Sequence, residues 1–416
     1  MQDIEARLAA LGIKIPEILF PKKEIDLYRW AVIACDQYTQ DLNYWNEVHS
    51  ISRGEPSCIN LIFPEAELET ISETEGRGKI LSIWENMSFY LENDIFCDPR
   101  SAFIYIERST ARHACRRGIV LCIDLELYDW RPGTLPLIRA TEGTVKDRLP
   151  PRVEIRRNAP LDIPHIVVLI NDKDDFLIPA LGDTAKRSPA LYETPLMMNG
   201  GTVSAWALDT QAAYEILADG LERLKMDSDL LFAVGDGNHS LAAAKAVWDE
   251  FKNENRDKID ISNHPARWAL VEIENIYDPG ISFEPIHRLV FGMEMPELQN
   301  ALSSINDIQC RAESSGKPVI FIESSSQEIS TVSIEPVLDR LKKEKGISID
   351  YIHGEDEIFR IIADSSEKAA GIILPPISKE GLFDTIALKG ALPRKSFSMG
   401  EAESKRFYLE CRKLFG

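Results

Sequence analysis

Two glycines, a carboxylate, an amide, an imidazole and a hydroxyl fall on six consecutive residues, Gly235-Asp236-Gly237-Asn238-His239-Ser240. Glycine permits backbone angles and close approaches that a side chain forbids. The apolar run Leu230 to Val234 before the segment reads as a buried strand, and a helix is predicted from about Ser240 to Lys252. A strand that runs straight into a helix turns the unpaired N–H groups of the first turn towards a ligand, which suits phosphate or carboxylate. Asn238, His239 and Ser240 add side-chain donors, and Lys245 follows about one turn later. Asp236 is the candidate to hold a divalent metal or to orient a hydroxyl. The segment matches neither GxxxxGK[ST] nor GxGxxG. A plain strand-to-helix turn, capped by Asp or Asn with a histidine packed on the sheet, accounts for the same residues.

A second group lies upstream. Between Arg139 and Arg157 stand Arg139, Lys146, Arg148, Arg152, Arg156 and Arg157 against Glu142, Asp147 and Glu154. The whole chain carries a formal net charge of −20, so this window reads as a local positive pocket for a small anion. Glu142 is the candidate general base, and an ion pair with one of its basic neighbours is the alternative. His287-Arg288 precedes Leu289-Val290, which places His287 at a strand end within reach of a pocket or in a structural role. Asp36, Gln37 and Tyr38 follow an apolar run, where α/β proteins contact ligands. Helix capping explains Asp36 equally well. His165, opening an apolar strand after Pro164, reads as structural.

Several chemistries lack their signatures. The chain has no HExxH and no clustered Cys/His spacing for zinc, and it has no GxSxG turn for a serine hydrolase. Its seven cysteines are scattered without a CxxC pair, which points to a reducing compartment and inert thiols. No stretch approaches the ~20 apolar residues that span a bilayer, and the first residues lack the pattern of a signal peptide. A cytoplasmic protein without a membrane partner is expected. The negative charge argues against nucleic acid as a partner, because that affinity comes from Lys and Arg displacing counterions.

The elements that must position these residues read as a mixed α/β arrangement. Strands are predicted at Leu27 to Cys35, Ala102 to Glu107, Gly118 to Asp124, His165 to Ile170, Val203 to Leu208 and Trp268 to Ile273. A helix is predicted from Thr210 to Lys225, with Ala212, Ile216, Leu217, Leu221 and Leu224 on one face. The proline-rich Arg148 to Arg152 reads as an extended loop. With 416 residues the chain divides into a main α/β domain over 1–295 and a smaller α/β unit over 296–416, closed by a docking helix from Glu401 to Leu414.

Ordered segments along the chain resemble the family catalogued as domain of unknown function 1015. Its Asp-Gly-His-His-Arg type turn stands here as Asp236-Gly237-Asn238-His239-Ser240. Its Leu-Pro-Thr-His-Arg-Leu-Val type segment stands as Glu284-Pro285-Ile286-His287-Arg288-Leu289-Val290. Ile138 to Thr144 with Lys146-Asp147-Arg148, and Pro393-Arg394-Lys395-Ser396, are similar to two further family segments. The turn is also similar to that of the ParB and sulfiredoxin-like superfamily, where an equivalent turn cradles nucleotide phosphates. That superfamily holds nucleoside-triphosphate-binding partition proteins, an ATP-using sulfinic acid reductase and kinases that phosphorylate free serine. The resemblance implies a ParB/sulfiredoxin-like core and a kinase-like phosphotransferase using ATP or ADP with magnesium on free serine or a polyol. A non-catalytic nucleotide or small-anion sensor is the rival expectation. In this assignment Gly237, Asn238, His239 and Ser240 form the cradle, with Asp236 at the metal or the acceptor. Glu142 is the base, and Arg139, Lys146 and Arg148 neutralise charge. Ser240 stands where the superfamily has arginine, and Lys245, Arg148 or Arg288 are the candidate substitutes.

Overall fold

The apolar runs around Ile104 and Leu121 are short, rich in β-branched and aromatic residues, and bounded by polar segments, so they pair as strands. In the computed structural model they lie inside a nine-stranded mixed sheet. The structure describes all residues except 1, 40, 69, 112–114, 132, 307, 314–316, 325–329, 365–367 and 416. The strands are β1 (Ile13–Lys14), β2 (Phe103–Ser109), β3 (Arg116–Asp124), β4 (Ile138–Ala140), β5 (Val167–Ile170), β6 (Tyr192–Pro195), β7 (Thr202–Leu208), β8 (Phe232–Asp236) and β9 (Trp268–Asn275). Their order is β6-β7-β2-β3-β9-β5-β8-β4, with β1 added to β3. β9 with β5 and β8 with β4 are parallel, and the remaining pairs are antiparallel.

Helices α1 (Glu73–Glu92), α2 (Leu149–Arg157), α3 (Leu177–Ala185), α4 (Gln211–Asp227) and α5 (Asn238–Asn255) accompany this sheet. Local chemistry fixes their starts. Ser72 and Glu75 form a reciprocal capping box at α1, and the Thr210 hydroxyl accepts from the Ala213 N–H at α4. β9 is buried along its whole length, as expected of a central strand covered on both faces.

The chain separates into two compact units. The first comprises Met1–Ala140, Thr144–Ile281 and Glu401–Gly416, and the second Thr141–Gly143 with Ser282–Gly400. The second unit holds strands β10 (Phe283–Phe291), β11 (Ile308–Ala312), β12 (Val319–Ser324), β13 (Ser348–His353), β14 (Ala369–Ile373) and β15 (Phe397–Met399). Their order is β11-β12-β14-β10-β13, with β15 on β10. The division thus falls after Ile281 rather than near residue 295, since β10 is hydrogen-bonded into the second sheet. Among the described residues no helix is long and apolar enough to cross a membrane.

Three expectations are corrected. Leu27 to Cys35 is not one strand: Leu27–Trp30 is a helical turn capped by Asp26, whose carboxylate accepts from the Tyr28 N–H, and only Val32–Ile33 is extended. Residues 149–152 begin α2 instead of forming a loop. Pro150 and Pro151 lie in its first turn, where the missing N–H groups have no intrahelical acceptor to lose. The terminal segment is not a docking helix, since it contains two short strands, β16 (Phe407–Tyr408) and β17 (Arg412–Lys413). β16 pairs with Val32–Ile33 and β17 with Leu161–Asp162. Phe407, Leu409 and Cys411 recur every second residue, the period of a strand.

Candidate functional site

β8 reaches the glycine turn with a break in register against β5 between Val234 and Asp236. Such a bulge re-aims the side chain that follows it. Gly237 then adopts φ +77° and caps α5 without a side-chain bond. A Cβ there would lie 3.1 Å from the Ile166 Cα, so both backbone angle and space select glycine. Asp236 Oδ1 accepts from the Gly237 N–H at 2.9 Å, and its Oδ2 lies 3.1 Å from Lys405 Nζ. The first backbone bond of α5 runs from the Leu241 N–H to the Gly237 carbonyl, so the preceding N–H groups have no acceptor within the helix. The Asn238 Oδ1 at the head of α5 is enclosed and has no hydrogen-bond partner among the described residues.

His165 lies beside this turn. Its Nε2 is 2.9 Å from Ser240 Oγ and its Nδ1 is 2.9 Å from the Tyr408 hydroxyl, which also accepts from the Cys35 N–H at 3.2 Å. Burial holds the imidazole below its usual pKa, against the raising influence of Asp36 and Asp236. For Asp36, burial opposes the charged form, yet His165, the Gln37 amide, Lys405 and Arg152 together outweigh it and hold its carboxyl below the usual range. The Cys35 thiol is pushed up to about 11 by burial, in keeping with an inert thiol. His165 and Ser240 also border a cavity of about 120 Å³. Its walls are mostly apolar, including Leu61, Phe63, Met87, Ile155 and Ala243, and Glu65, Arg152, Arg156 and Asp162 also line it.

The structure distributes the remaining sequence candidates unevenly. His239 Nε2 accepts from the Val145 N–H at 3.1 Å, so its ring fastens the segment that leads into α2. Lys245 pairs with Asp249 within α5. Arg139 lies in β4 and its Nε donates to the Pro136 carbonyl, with burial lowering its pKa. Lys146 and Arg148 occupy a 3-10 turn before α2. Arg148 reaches Glu65 at 2.7 Å, and Arg152 binds the same carboxylate.

Glu142, His287 and Arg288 belong to the second unit. There both oxygens of Glu142 accept backbone N–H bonds from Lys395, Ser396 and Phe397, while burial keeps its pKa above the usual value. Arg288 is fully buried against Glu335 and the carbonyls of Ile286 and Lys395. His287 Nδ1 accepts from the Leu374 N–H, and burial followed by the Arg288 charge drops its pKa to about 4. These three side chains are thus engaged by their own unit.

Asp36, His165, Lys405 and Tyr408 are the residues the structure adds at the turn. Asp36 carries a sequence signal in its position after an apolar run. Lys405 and Tyr408 carry none, because their segment is distant in sequence. Among the described residues no group of three or more His, Cys, Asp or Glu could hold a metal ion.

No curated protein matches the sequence. Among solved structures the chain is similar to a free serine kinase in complex with AMP, at 10% identity and TM-score 0.37, covering 71% of this chain and 92% of that one. It is also similar to a conserved hypothetical protein from Pyrococcus furiosus, at 10% identity and TM-score 0.35, covering 71% and 95%. A third is SbnI with C-terminal truncation from Staphylococcus aureus, at 9% identity and TM-score 0.33, covering 68% and 82%. The model of the family described as protein of unknown function (DUF1015) matches residues 16–374, and the chain belongs to that family.

Proposed function

We propose that the chain binds a nucleotide, ATP or ADP, through its phosphates at the head of α5 and transfers a phosphoryl group to a small hydroxyl compound such as free serine or a polyol. The observation that carries this reading is the conformation of the turn. The bulge before Asp236 and the left-handed Gly237 open the first turn of an eighteen-residue helix towards a cluster containing Asp36, Asp236 and Lys405. Backbone N–H groups and the helix dipole favour phosphate oxygens there. Lys405 supplies a cation, and the enclosed Asn238 Oδ1 offers an acceptor to a ligand hydroxyl.

Phosphoryl transfer needs positioning, charge neutralisation and a carboxylate for the acceptor proton. Asp36 takes the last role in this reading, because its carboxyl is held ionised beside Lys405 and Arg152. The acceptor oxygen bonds to the terminal phosphorus as its proton passes to Asp36. The bond to the bridging oxygen breaks, and the shortened nucleotide leaves with that electron pair. A magnesium ion at Asp236 would draw most of its ligands from phosphate and water, as that ion ordinarily does at phosphate sites.

Calorimetric titration with ATP and ADP in the presence of magnesium, followed by a phosphate-transfer assay on serine and polyols, tests the proposal. Binding is expected for the wild-type chain, with Asp36→Asn retaining affinity and losing roughly 10²–10⁴-fold in turnover. Absence of binding at millimolar nucleotide would overturn it.

A further inference from the structure

The sequence contains no GxSxG turn, yet the fold brings a serine hydroxyl and a histidine nitrogen to 2.9 Å at the edge of a mostly apolar cavity. Nucleophile–base pairs are recognised by geometry and by a third group that orients the base, whatever the order of residues in the chain. Here the third group is the Tyr408 hydroxyl, 2.9 Å from the other ring nitrogen.

The Tyr408 oxygen accepts the Cys35 N–H at 3.2 Å and lies 2.9 Å from His165 Nδ1. A general base at Nε2 requires the tautomer in which Nδ1 carries the ring proton and donates it to the Tyr408 oxygen, leaving the Nε2 lone pair towards Ser240. Burial disfavours the imidazolium formed when the base takes a proton, and the Asp36 and Asp236 charges offset part of that cost. Ser240 also stands in the first turn of α5, where the N–H groups ahead of Leu241 face any oxyanion that develops nearby.

A buried histidine satisfied by a serine and a tyrosine would be unremarkable in a packed core. The adjoining space separates this pair from that case. Its volume of about 120 Å³ is close to the ~150 Å³ of an apolar cavity that takes up benzene, so it accommodates an aliphatic chain of roughly four to six carbons.

We propose that Ser240 is a nucleophile activated by His165 and acts on esters of short aliphatic acids, with the acyl chain lodged in the cavity. Ser240 Oγ bonds to the carbonyl carbon as its proton passes to His165 Nε2. The ester C–O bond then breaks, and the departing alcohol takes that proton. Water, deprotonated by the same nitrogen, hydrolyses the acyl-serine to the carboxylic acid and restores the hydroxyl. The acyl reading shares the head of α5 and Asp36 with the nucleotide reading, and its test is run without nucleotide so that either can fail while the other stands.

The full chain is treated with a fluorophosphonate and mapped by peptide mass spectrometry, and 4-nitrophenyl acetate, butyrate, hexanoate and decanoate are offered as substrates. The expected result is a single phosphonyl adduct on Ser240 and turnover that peaks at butyrate or hexanoate. Ser240→Ala and His165→Gln should each lower turnover at least ~100-fold. Ala243→Leu, which narrows the cavity, should shift the preference to acetate, a change that loss of folding would not produce. No adduct on Ser240 in protein that melts cooperatively, or undiminished turnover by a folded Ser240→Ala, would overturn the proposal.

Discussion

Gly237 shows how much one residue decides at this site. Its positive φ permits β8 to pass into α5 in a single step, and a Cβ there would crowd the Ile166 Cα at 3.1 Å. A side chain there meets both obstacles, so Gly237→Ala should cost about 1–3 kcal/mol in urea denaturation and weaken nucleotide binding in the same protein. His287 makes a separate point in the second unit. Its pKa is near 4 in the folded chain, against ~6.5 unfolded, so the folded state holds the neutral ring. A depressed pKa contributes stability that is complete above pH ~6.5 and lost as the pH falls towards 4, about 3 kcal/mol in all. Melting curves across that range should show the loss in the wild type. His287→Asn, whose amide oxygen can still accept from the Leu374 N–H, should flatten it.

At the scale of elements, the parts legible in the sequence are those whose information is local. β8, the glycine turn and α5 announce themselves through an apolar run, two glycines and a following amphipathic stretch. Capping at Thr210 marks α4 in the same way. Proline misleads at α2, because its cost depends on position within the helix and the first turn carries none of it. The segment after Glu401 misleads for another reason. It reads in sequence as one docking helix, yet Arg406 and Arg412 are buried and paired, Arg406 with Glu272 and Glu410, and Arg412 with Asp162. No local pattern reveals partners so far away along the chain. Asp162 joins Arg412 to Arg156 and also accepts from the Leu270 N–H. Asp162→Asn leaves the buried Arg412 and the half-buried Arg156 short of a counter-charge and should destabilise the first unit by about 3–5 kcal/mol in denaturant titration.

For the molecule as a whole, the net charge of −20 and the local clusters of cations serve different ends. Global repulsion disfavours polyanions, whereas in the proposed nucleotide reading a helix terminus and Lys405 would act over a few ångströms on a small ligand. The family resemblance and the mixed α/β class are legible in the sequence, because ordered motifs and alternating apolar runs survive without tertiary information. The composition of the site is legible only in half. Asp236 and Ser240 lie in the recognised turn, whereas His165 reads as structural, and Lys405 and Tyr408 come from a distant segment that reads as a docking helix. Glu142 has the residue type a base requires, but three N–H groups of its own unit already occupy it.

The return of residues 401–416 to the first unit sets an order of events during synthesis. β16, β17, Lys405 and Tyr408 leave the ribosome only after the whole of Ser282–Gly400 has emerged. Val32–Ile33 and Leu161–Asp162 therefore wait without their strand partners, while the second unit is free to fold by itself. A nascent chain arrested before Glu401 would thus hold the glycine turn but lack the lysine and tyrosine that complete its surroundings, so any ligand chemistry at the turn is a property acquired last.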